Sequence, residues 1–144
     1  MQIKIKRLRD NAILPEYQTA FAAAFDFHAT IDEPKTLKPG ERFPMPTGLA
    51  MAIPDGHVLN IYARSGLAFK YSVILANSVA VIDADYRGEI MVLLTNTSDQ
   101  DFVVEPNMRI AQGMIIKHET AEWQEVDDLP ETARDNGGFG STGK

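Results

Sequence analysis

The sequence predicts an all-β protein with one short helix. Short runs of apolar and β-branched residues follow one another at close, regular spacing along its 144 residues. Turn sequences separate these runs, among them residues 38–41 (Lys-Pro-Gly-Glu) and 54–56 (Pro-Asp-Gly), where proline presets φ and glycine accepts a positive φ. Many short strands at such spacing are typical of a distorted barrel or sandwich with a jelly-roll-like arrangement.

The predicted strands differ in the spacing of their apolar residues. Residues 3–6 alternate apolar and charged side chains, as a half-buried strand does, and residues 47–53 also alternate. Residues 89–95 are almost wholly apolar, which predicts a strand that is buried on both faces. The remaining predicted strands are residues 58–63, 102–104 and 114–116.

Two segments depart from the regular β pattern. Residues 19–25 are rich in alanine, which favours a helix, but their phenylalanines and the neighbouring Phe27 favour an edge or a strand. Residues 65–71 are predicted to form the one short helix, because Ser65 is a good N-cap candidate.

Length, charge and composition limit the possible functions. A chain of this length forms one domain and has no room for a second core. The formal net charge of −6 argues against a protein that coats nucleic acid. The absence of cysteine excludes disulfides, thiolate zinc sites and cysteine nucleophiles. No window approaches the roughly 18 apolar residues of a membrane span, so we expect neither a membrane nor nucleic acid among the partners.

Arg64, Ser65 and Gly66 directly follow a predicted strand. Backbone N–H groups and a hydroxyl at the start of a helix, with an arginine beside them, form an arrangement that binds phosphate. A capped turn with an exposed arginine has the same pattern. Taken alone, three residues favour the capped turn.

A dense charged segment, residues 82–89, lies between two apolar runs. Asp83 directly follows an apolar run, so we expect it on a buried, rigid element, where a partly desolvated carboxylate acts as a general base toward water. A solvated turn is the alternative interpretation. It is the preferred interpretation for Asp85 and Arg87, but not for Asp83 and Tyr86.

The C-terminal segment is rich in glycine and contains Arg134 and Phe139, which are followed by two hydroxyl residues. Such a segment is able to fold over a nucleotide, with the phenylalanine stacked on a base. A disordered tail is the alternative. We interpret residues 1–128 as the β domain and residues 129–144 as a flexible arm.

The other candidate residues have ordinary structural interpretations. In isolation, residues 109–112 (Arg-Ile-Ala-Gln) are typical of an exposed strand edge, and Trp123 is interpreted as a packing residue. The histidines at positions 28, 57 and 118 are too scattered for a metal site.

Taken together and in order, five segments of the chain resemble the trimeric dUTPase family. They cover nearly the whole chain, and all five at this spacing are highly specific. A glycine usually follows the arginine of the last segment, where this chain has Asp135. The segments are residues 23–27 (AAFDF), 64–68 (RSGLA), Asn77 with 81–89 (VIDADYRGE), 109–112 (RIAQ), and Arg134 with 137–143 (GGFGSTG).

The resemblance implies a jelly-roll-like β fold and the hydrolysis of dUTP to dUMP and pyrophosphate, with water attacking the α-phosphorus. It implies that Asp83 activates the water and hydrogen-bonds the 3′-OH of the sugar. Tyr86 would lie against the sugar and leave no space for a 2′-OH, and Asn77 with nearby strand backbone would read the uracil edge.

The resemblance also implies which residues hold the triphosphate and cover the base. Positive charge would come from Arg64, Arg109 and Arg134, of which Arg134 would meet the terminal phosphate. The other residues implied to bind substrate are Ser65, Gly66 and Gln112 at the phosphates, Phe139 over the uracil, and Gly140, Ser141 and Thr142 in the closing arm.

The resemblance further implies Mg²⁺ bound mainly by the triphosphate, with Asp26 acting on it through waters. The unit is expected to be a homotrimer with active sites at the subunit interfaces, in the cytoplasm or, for a viral protein, in the host-cell cytoplasm. Two alternatives share the fold: a dCTP deaminase-like enzyme and a non-catalytic regulatory binding module. The segment around Asp83 and the arm with Phe139 favour dUTP hydrolysis.

Overall fold

The computed structural model describes residues 1–138, so the predictions for Phe139, Gly140, Ser141 and Thr142 lie outside the described residues. Eleven strands and one helix make up the regular structure of this part. The helix, α1 (Ser65–Tyr71), lies between β6 and β7. The strands are β1 (Lys4–Arg7), β2 (Phe25–His28), β3 (Lys35–Leu37), β4 (Arg42–Pro46), β5 (Leu49–Ala52), β6 (His57–Tyr62), β7 (Val73–Leu75), β8 (Val79–Ile82), β9 (Met91–Asn96), β10 (Phe102–Val104) and β11 (Arg109–Lys117).

The strands pair antiparallel in four sheets. The largest sheet has the order β2-β11-β6-β8, and a three-stranded sheet has the order β4-β9-β7. Two further pairs are β1-β5 and β3-β10. The all-β class with one short helix is therefore confirmed. The arrangement is jelly-roll-like and open, because the strands of residues 1–138 form separate sheets and do not close into a barrel.

One apolar core joins the sheets. β6 shows how a half-buried strand contributes to it: Leu59 and Ile61 are fully buried, whereas Asn60 and Tyr62 are partly exposed. Burial of apolar surface is the main favourable contribution to such a fold. The largest fully buried side chains include Phe27, Leu37, Met45, Leu49, Leu59, Ile61, Leu75, Ile90, Leu94 and Ile110.

Gly113 of β11 makes room for an aromatic pair on β2. A Cβ atom at this position would lie 2.7 Å from Phe25, 2.8 Å from Phe27 and 3.0 Å from Leu59. The two phenylalanine rings pack edge to face with their centroids 5.5 Å apart, a geometry that aromatic rings prefer. The missing side chain of Gly113 therefore fixes how β2 lies against β11.

Most predicted strands are confirmed, although their burial differs in part. Residues 3–6, 58–63 and 102–104 correspond to β1, β6 and β10, and residues 114–116 belong to the longer β11. The alternation predicted for residues 47–53 was wrong, because three consecutive residues of β5 are buried and both of its faces are therefore covered. In β9 the predicted burial on both faces holds only for the second half.

Two local predictions at the ends of elements were wrong. Ser65 is not the N-cap of α1: it is the first helical residue, while Arg64 occupies the N-cap position with extended backbone and makes no side-chain capping bond. Residues 19–24 form turns, and β2 begins only at Phe25. The alanines do not form a helix because their segment is too short and has no apolar face to bury.

The segment after β11 leaves the body of the fold. The chain has no strand or helix from residue 118 to 138, and nearly all of these residues are exposed. The packing predicted for Trp123 was wrong, since its side chain is 91% exposed in the single chain. No helix within residues 1–138 is long and apolar enough to cross a membrane.

A buried hydrogen-bond network fixes the chain just before β5. Thr30 Oγ1 donates to the carbonyl of Thr47, and Thr47 Oγ1 donates to the carbonyl of Ile90, both at 2.7 Å. The N–H of the adjacent Gly48 donates to Glu89 Oε1 at 2.8 Å. Since buried polar groups are costly when unpaired, this network ties β5 to the segment that precedes β9.

We expect Gly48→Ala to lower the free energy of unfolding by about 2–5 kcal/mol. This is the sum of the cost of placing a residue with a Cβ in the left-handed conformation and the cost of overpacking. Gly48 has a φ of +66°, and a Cβ there would lie 2.8 Å from Cβ of Ala12 and 2.9 Å from Cγ2 of Thr30. Gly40→Ala is the matched control, because Gly40 has a φ of +76° but a Cβ at this position would meet no atom within 4 Å. Urea denaturation at fixed protein concentration measures both, and equal losses would contradict the crowding at Gly48.

Candidate active site

A cleft of about 300 Å³ lies where β6 ends and α1 begins, and we call it the arginine cleft. Of the residues predicted to meet the phosphates, it brings together Arg64, Ser65, Gly66, Arg109 and Gln112, but not Arg134. Asp26 joins them, and three separate segments of the chain supply the set. Its lining residues are Gln18, Thr19, Ala22, Ala24, Asp26, Arg64, Ser65, Gly66, Arg109 and Gln112.

A β-bulge in β11 places the polar side chains of this strand on one face. Arg109 pairs with His28 and Gln112 pairs with Asp26, and the register shifts between Arg109 and Ala111. Residues three apart in a regular strand point to opposite faces, but the extra residue of the bulge returns Arg109 and Gln112 to the same face. Asp26 and His28 are two apart on β2 and share that face.

The expectation that residues 109–112 form an exposed strand edge was wrong. β11 is an inner strand that pairs with β2 on one side and with β6 on the other. Ile110 and Ala111 are buried, while Arg109 and Gln112 remain partly accessible at the cleft. The charged and amide groups are therefore held by a strand that is paired on both sides.

Asp26 lies between two arginines. It is 7% exposed, its Oδ1 is 3.2 Å from Nε of Arg64, and its Oδ2 accepts from Nη1 of Arg109 at 3.1 Å. Arg64 Nη1 also donates to the carbonyl of Arg109 at 3.1 Å. Because two guanidiniums face one carboxylate, the group keeps a net positive charge and favours an anionic ligand.

Neutral donors surround these cations. Gln112 Nε2 donates to the carbonyl of Ala63 at 2.9 Å, which ties β11 to the residue before Arg64. Ser65 and Gly66 are exposed in the first turn of α1, where backbone N–H groups lack partners within the helix. A Cβ on Gly66 would meet no atom within 4 Å, so the space in front of these groups is open.

His28 stands beside the charged group and is partly buried. Burial lowers the pKa of His28 below its ordinary value, and Arg109 and Arg64 act in the same direction, whereas Asp26 and Glu16 oppose them. Its Nδ1 is buried and has no hydrogen-bond partner among the described residues. The histidine is therefore favoured in its neutral form, and the positive charge of the cleft belongs to the arginines.

A second cleft of about 210 Å³ lies beyond the end of β8, and we call it the tyrosine cleft. Asp83 and Tyr86 meet here as expected, and the Tyr86 N–H donates to the carbonyl of Asp83 at 3.2 Å. The expected burial of Asp83 was wrong for the single chain, because β8 ends at Ile82 and Asp83 lies exposed after it. The cleft is lined by Val81, Ile82, Asp83, Tyr86, Glu89 and Met91.

The position of the Tyr86 ring depends on Gly88. The Tyr86 hydroxyl donates to the carbonyl of Glu89 at 2.9 Å, which folds the ring back over the chain. A Cβ on Gly88 would lie 2.6 Å from Cζ of Tyr86, so a larger residue would displace the ring. The Glu89 side chain in turn contacts the N–H of Gly48 at 2.8 Å and Nη2 of Arg9 at 3.6 Å. Gly88 and Glu89 therefore hold the ring against the body of the fold.

The two clefts lie at opposite ends of the β6–β8 pair. Tyr62, the last residue of β6, pairs with Val79, the first residue of β8. Arg64 lies two residues beyond Tyr62, whereas Asp83 lies four residues beyond Val79 in the other direction. At about 3.3 Å per residue, these steps together correspond to about 20 Å. One chain therefore does not bring Asp83 to its own arginine cleft.

A free strand edge leads to the tyrosine cleft. In residues 1–138, β8 pairs only with β6, so its other edge offers backbone N–H and C=O groups. Asn77 is exposed in the turn before β8, at the end opposite Asp83. The four residues of β8 span about 13 Å, which is on the scale of a nucleoside. Asn77 and Asp83 thus flank an edge that is able to pair with a base.

Arg134 lies in a turn of the C-terminal segment and lines neither cleft of its own chain. Its Nε donates to the carbonyl of Gly137 at 2.9 Å, and Thr132 Oγ1 accepts the N–H of Asp135 at 2.9 Å. Asp135 has a φ of +43°. Glycine adopts this left-handed conformation most readily, so a glycine at this position would fit the backbone of this turn.

The part of the chain that the structure describes holds no group of three His, Asp or Glu side chains that could bind a metal ion. Asp26, which was expected to act near magnesium, has both carboxylate oxygens paired with arginine. A cation there would stand against two like charges. The residues of the arginine cleft therefore fit an anion and do not fit a directly bound metal.

The fold and the two clefts define the class of protein, and a family model agrees with them. The chain belongs to the dUTPase family, whose model matches residues 10–143. A deoxyuridine 5′-triphosphate nucleotidohydrolase of Rickettsia felis is 50% identical over 143 residues, which cover 99% of this chain and 97% of the relative. The resemblance drawn from the five segments is thus confirmed.

Solved structures share the fold. A mutant of the phage 80alpha dUTPase superimposes with a TM-score of 0.86 at 26% identity, covering 97% of this chain and 98% of that one. A mutant dUTPase from phage phi11 of S. aureus has a TM-score of 0.80 at 22% identity, covering 90% and 99%, and that structure shows the coordination of a structural Mg(II) ion. Both are consistent with the jelly-roll-like arrangement of β1 to β11.

Some residues of the arginine cleft had no specific predicted role. Gln18 and Thr19 line it from the loop before β2, and neither residue is charged or belongs to one of the five segments. Arg109 was expected only as a general source of positive charge, yet it contacts Asp26 directly. The spacing of Arg109 to Gln112 was visible in the sequence, but the face of β11 on which the Arg109 side chain lies depends on the bulge.

The lowered pKa of His28 predicts a stability that decreases in mild acid. Because the folded pKa lies below the unfolded value of about 6.5, the unfolded chain binds more protons between these two pKa values, and the free energy of unfolding falls as the pH drops through this window. We expect His28→Gln to make this dependence shallower between about pH 7.5 and 5.5. Urea denaturation at a series of pH values measures the slope. His118→Gln, at an exposed position, should keep the wild-type slope, and an unchanged slope in His28→Gln would disprove the assignment.

Proposed function

We propose that the protein hydrolyses dUTP to dUMP and pyrophosphate. The observation that supports this most directly is the arginine cleft: two guanidiniums, a glutamine amide and open N–H groups converge in a chain whose net charge is −6. Such a local cluster suits a polyphosphate despite the overall sign of the charge. The Rickettsia felis relative bears the name of an enzyme that acts on this nucleotide.

The proposed chemical step is an in-line attack by water. The water oxygen bonds to the α-phosphorus, the bond from the α-phosphorus to the bridging oxygen of the β-phosphate breaks, and pyrophosphate leaves. We assign to Asp83 the proton that the water loses, since a carboxylate within reach of the water serves as general base. Its exposure in the single chain means that the substrate and a neighbouring chain would supply the desolvation.

The sugar and the base would lie along the tyrosine cleft and the free edge of β8. The Tyr86 ring, held by its hydroxyl bond to Glu89, would stand where a 2′-OH would otherwise fit. Fixed backbone groups of β8, together with Asn77, would read the hydrogen-bonding edge of uracil. A pocket built from fixed donors and acceptors rejects a base whose groups do not match.

The triphosphate would lie in the arginine cleft. Arg64, Ser65, Gly66 and Gln112 would bind its phosphates, and Arg109 would add positive charge. We further propose that the arm of residues 129–144 closes over an active site. Arg134 would then meet the terminal phosphate, Phe139 would stack on the uracil, and Gly140, Ser141 and Thr142 would complete the closure.

We infer that each active site is shared between chains of a homotrimer. A sugar held by Asp83 directs its phosphates away from the arginine cleft of the same chain, which lies at the other end of the β6–β8 pair. The triphosphate is then within reach of an arginine cleft only if a neighbouring chain provides it. The exposed segment from residue 118 to 138 has the length to extend to another subunit.

Magnesium would enter with the triphosphate, as the substrate's own counterion, because the residues of the arginine cleft do not fit a directly bound metal. When bound, it would neutralise charge that develops on the leaving pyrophosphate. We place the reaction in the cytoplasm, or in the host-cell cytoplasm for a viral protein, where the deoxynucleotide triphosphates are used.

Pyrophosphate release from dUTP, dTTP, dCTP and UTP, each with and without Mg²⁺, tests the proposal. We expect dUTP to be preferred over the others by about 100-fold or more in kcat/KM, since a site with fixed polar groups discriminates strongly. Release of ammonia from dCTP would instead identify a deaminase. An absence of turnover with all four nucleotides would identify a non-catalytic binding module.

Asp83→Asn should lower kcat for dUTP about 100- to 10,000-fold, because the amide does not accept the proton of the attacking water. The dissociation constant for dUTP should change little, since the side chain keeps its size and its hydrogen bonding to the sugar. Asp85→Asn is the matched control, two residues away in the same exposed turn, and should keep wild-type kcat. A wild-type kcat in Asp83→Asn would refute the assigned role.

Mixed assemblies test whether the sites are shared. Ser65→Glu alters an exposed residue of the arginine cleft and should abolish activity, because the new carboxylate repels the phosphates. Asp83→Asn should abolish activity because the general base is lost. Refolding the two inactive chains together at equal amounts should restore about a quarter of the wild-type activity, the share of interfaces that receive both intact residues. Sites confined to one chain would leave the mixture inactive.

A further inference from the structure

We propose that Asp26 is a positioning residue, whose carboxylate holds Arg64 and Arg109 side by side for the polyphosphate. This assignment rests on the proposed function, in which the arginine cleft binds the phosphates. It is distinct from the role near a metal ion, acting through waters, that the resemblance implies for this residue.

The contacts of Asp26 account for both of its oxygens. The Asp26 side chain is 10% exposed, and each oxygen faces a different guanidinium, Arg64 Nε at 3.2 Å and Arg109 Nη1 at 3.1 Å. The two arginines come from distant parts of the chain, the start of α1 and the start of β11. Asp26 is therefore the one side chain of residues 1–138 that contacts both guanidiniums at the cleft, alongside the hydrogen bond from Arg64 to the carbonyl of Arg109.

The strand register makes this connection specific. Asp26 pairs with Gln112, and the bulge of β11 brings Arg109 to the same face. Arg64 donates in addition to the carbonyl of Arg109, so its guanidinium is held by a side chain of β2 and by the backbone of β11. Each guanidinium has five N–H donors, and these contacts use only some of them, which leaves others for a ligand.

Charge repulsion explains why a carboxylate is needed at this position. The guanidiniums of Arg64 and Arg109 face the same carboxylate, and like charges this close to each other repel. Without the carboxylate, the long arginine side chains would separate toward solvent. A site that is already arranged before the ligand binds avoids this ordering cost. Asp26 thus keeps two cations close together in the absence of substrate.

The sign of the effect on anion binding separates this role from the alternatives. Removal of a negative charge from an anion site should tighten anion binding if the charge acts only by repulsion. Loss of a metal contact should change binding only when the metal is present. Loss of a positioning residue should weaken binding even when no metal is present, because the arginines are no longer held.

The experiment measures the binding of inorganic pyrophosphate by calorimetry, once in the presence of EDTA and once in the presence of Mg²⁺. Hydrolysis of dUTP is measured separately on the same variants. We expect Asp26→Asn to weaken binding about tenfold or more in EDTA, as for loss of charge-assisted contacts. Asp85→Asn changes the charge equally at an exposed position outside the cleft and should bind as the wild type does. Unchanged or tighter binding by Asp26→Asn in EDTA would overturn the proposal.

A second variant, Arg109→Lys, tests the assignment without changing Asp26. Arg109→Lys retains the positive charge but loses the planar guanidinium that Asp26 holds, and it should also weaken pyrophosphate binding in EDTA. Where Asp26→Asn folds, it can be combined with Arg109→Lys in a double variant. If Asp26 acts through Arg109, this double variant should bind pyrophosphate hardly more weakly than either single variant. Independent structural effects would instead give losses of binding free energy that add. Additive losses, or wild-type binding by Arg109→Lys, would overturn the proposal.

The two proposals fail in different ways. If the wild type hydrolyses dUTP but Asp26→Asn binds pyrophosphate normally in EDTA, only the positioning role is wrong. If the wild type neither hydrolyses dUTP nor binds pyrophosphate, the proposed function and the positioning role are both overturned.

Discussion

The pairing of β11 with β2 on one side and with β6 on the other is the constraint on which the rest of the site depends. Gly113 of β11 leaves space for the rings of Phe25 and Phe27, which sets the distance and the register of β2. That register places Asp26 opposite Gln112, while the β6 side places Tyr62 opposite the same Gln112. The apolar packing of the core thus fixes polar groups that lie outside it.

This constraint also explains why the charged residues divide into two groups. The hydrogen-bonded register of β6 and β8 is fixed along the whole pair. The residues that follow the end of β6 are therefore held apart from those that follow the end of β8. Arg64 and Asp83 therefore occupy clefts that a single chain does not bring together. In the proposed homotrimer, a site shared with a neighbour would bring the two groups together, and one substrate would contact two or more subunits.

The balance of charge within the arginine cleft has a similar structural origin. Arg64, Arg109 and Asp26 would be an unfavourable set if each were placed freely, because burial of charge is costly unless partners are close. They are tolerated because β2 and β11 hold the carboxylate between the guanidiniums. His28 stays close by without adding charge, since burial lowers the pKa of its imidazole. The cleft is thus selective for an anion by arrangement rather than by the overall charge of the chain.

Much of the fold and of the candidate site was predictable from the sequence. Turn residues and short apolar runs predicted the all-β class and most strands, because glycine, proline and β-branched residues act locally. The order of the five segments indicated the dUTPase family, to which the chain belongs. Local signals were less reliable where the outcome depends on the surrounding structure: Ser65 is the first helical residue of α1 and not its N-cap, and Trp123 is exposed.

The sequence by itself determined which chemical groups are present and in what order they occur. Only the tertiary structure decided that Arg109 faces Asp26, because one extra residue in β11 reverses the direction of a side chain and no local pattern indicates that bulge. It also decided that Asp83 is exposed and that it follows the end of the β6–β8 pair opposite to Arg64, since strand pairing sets these positions. A residue type is a local property of the chain, whereas the face, the burial and the partner of that residue are set by long-range packing.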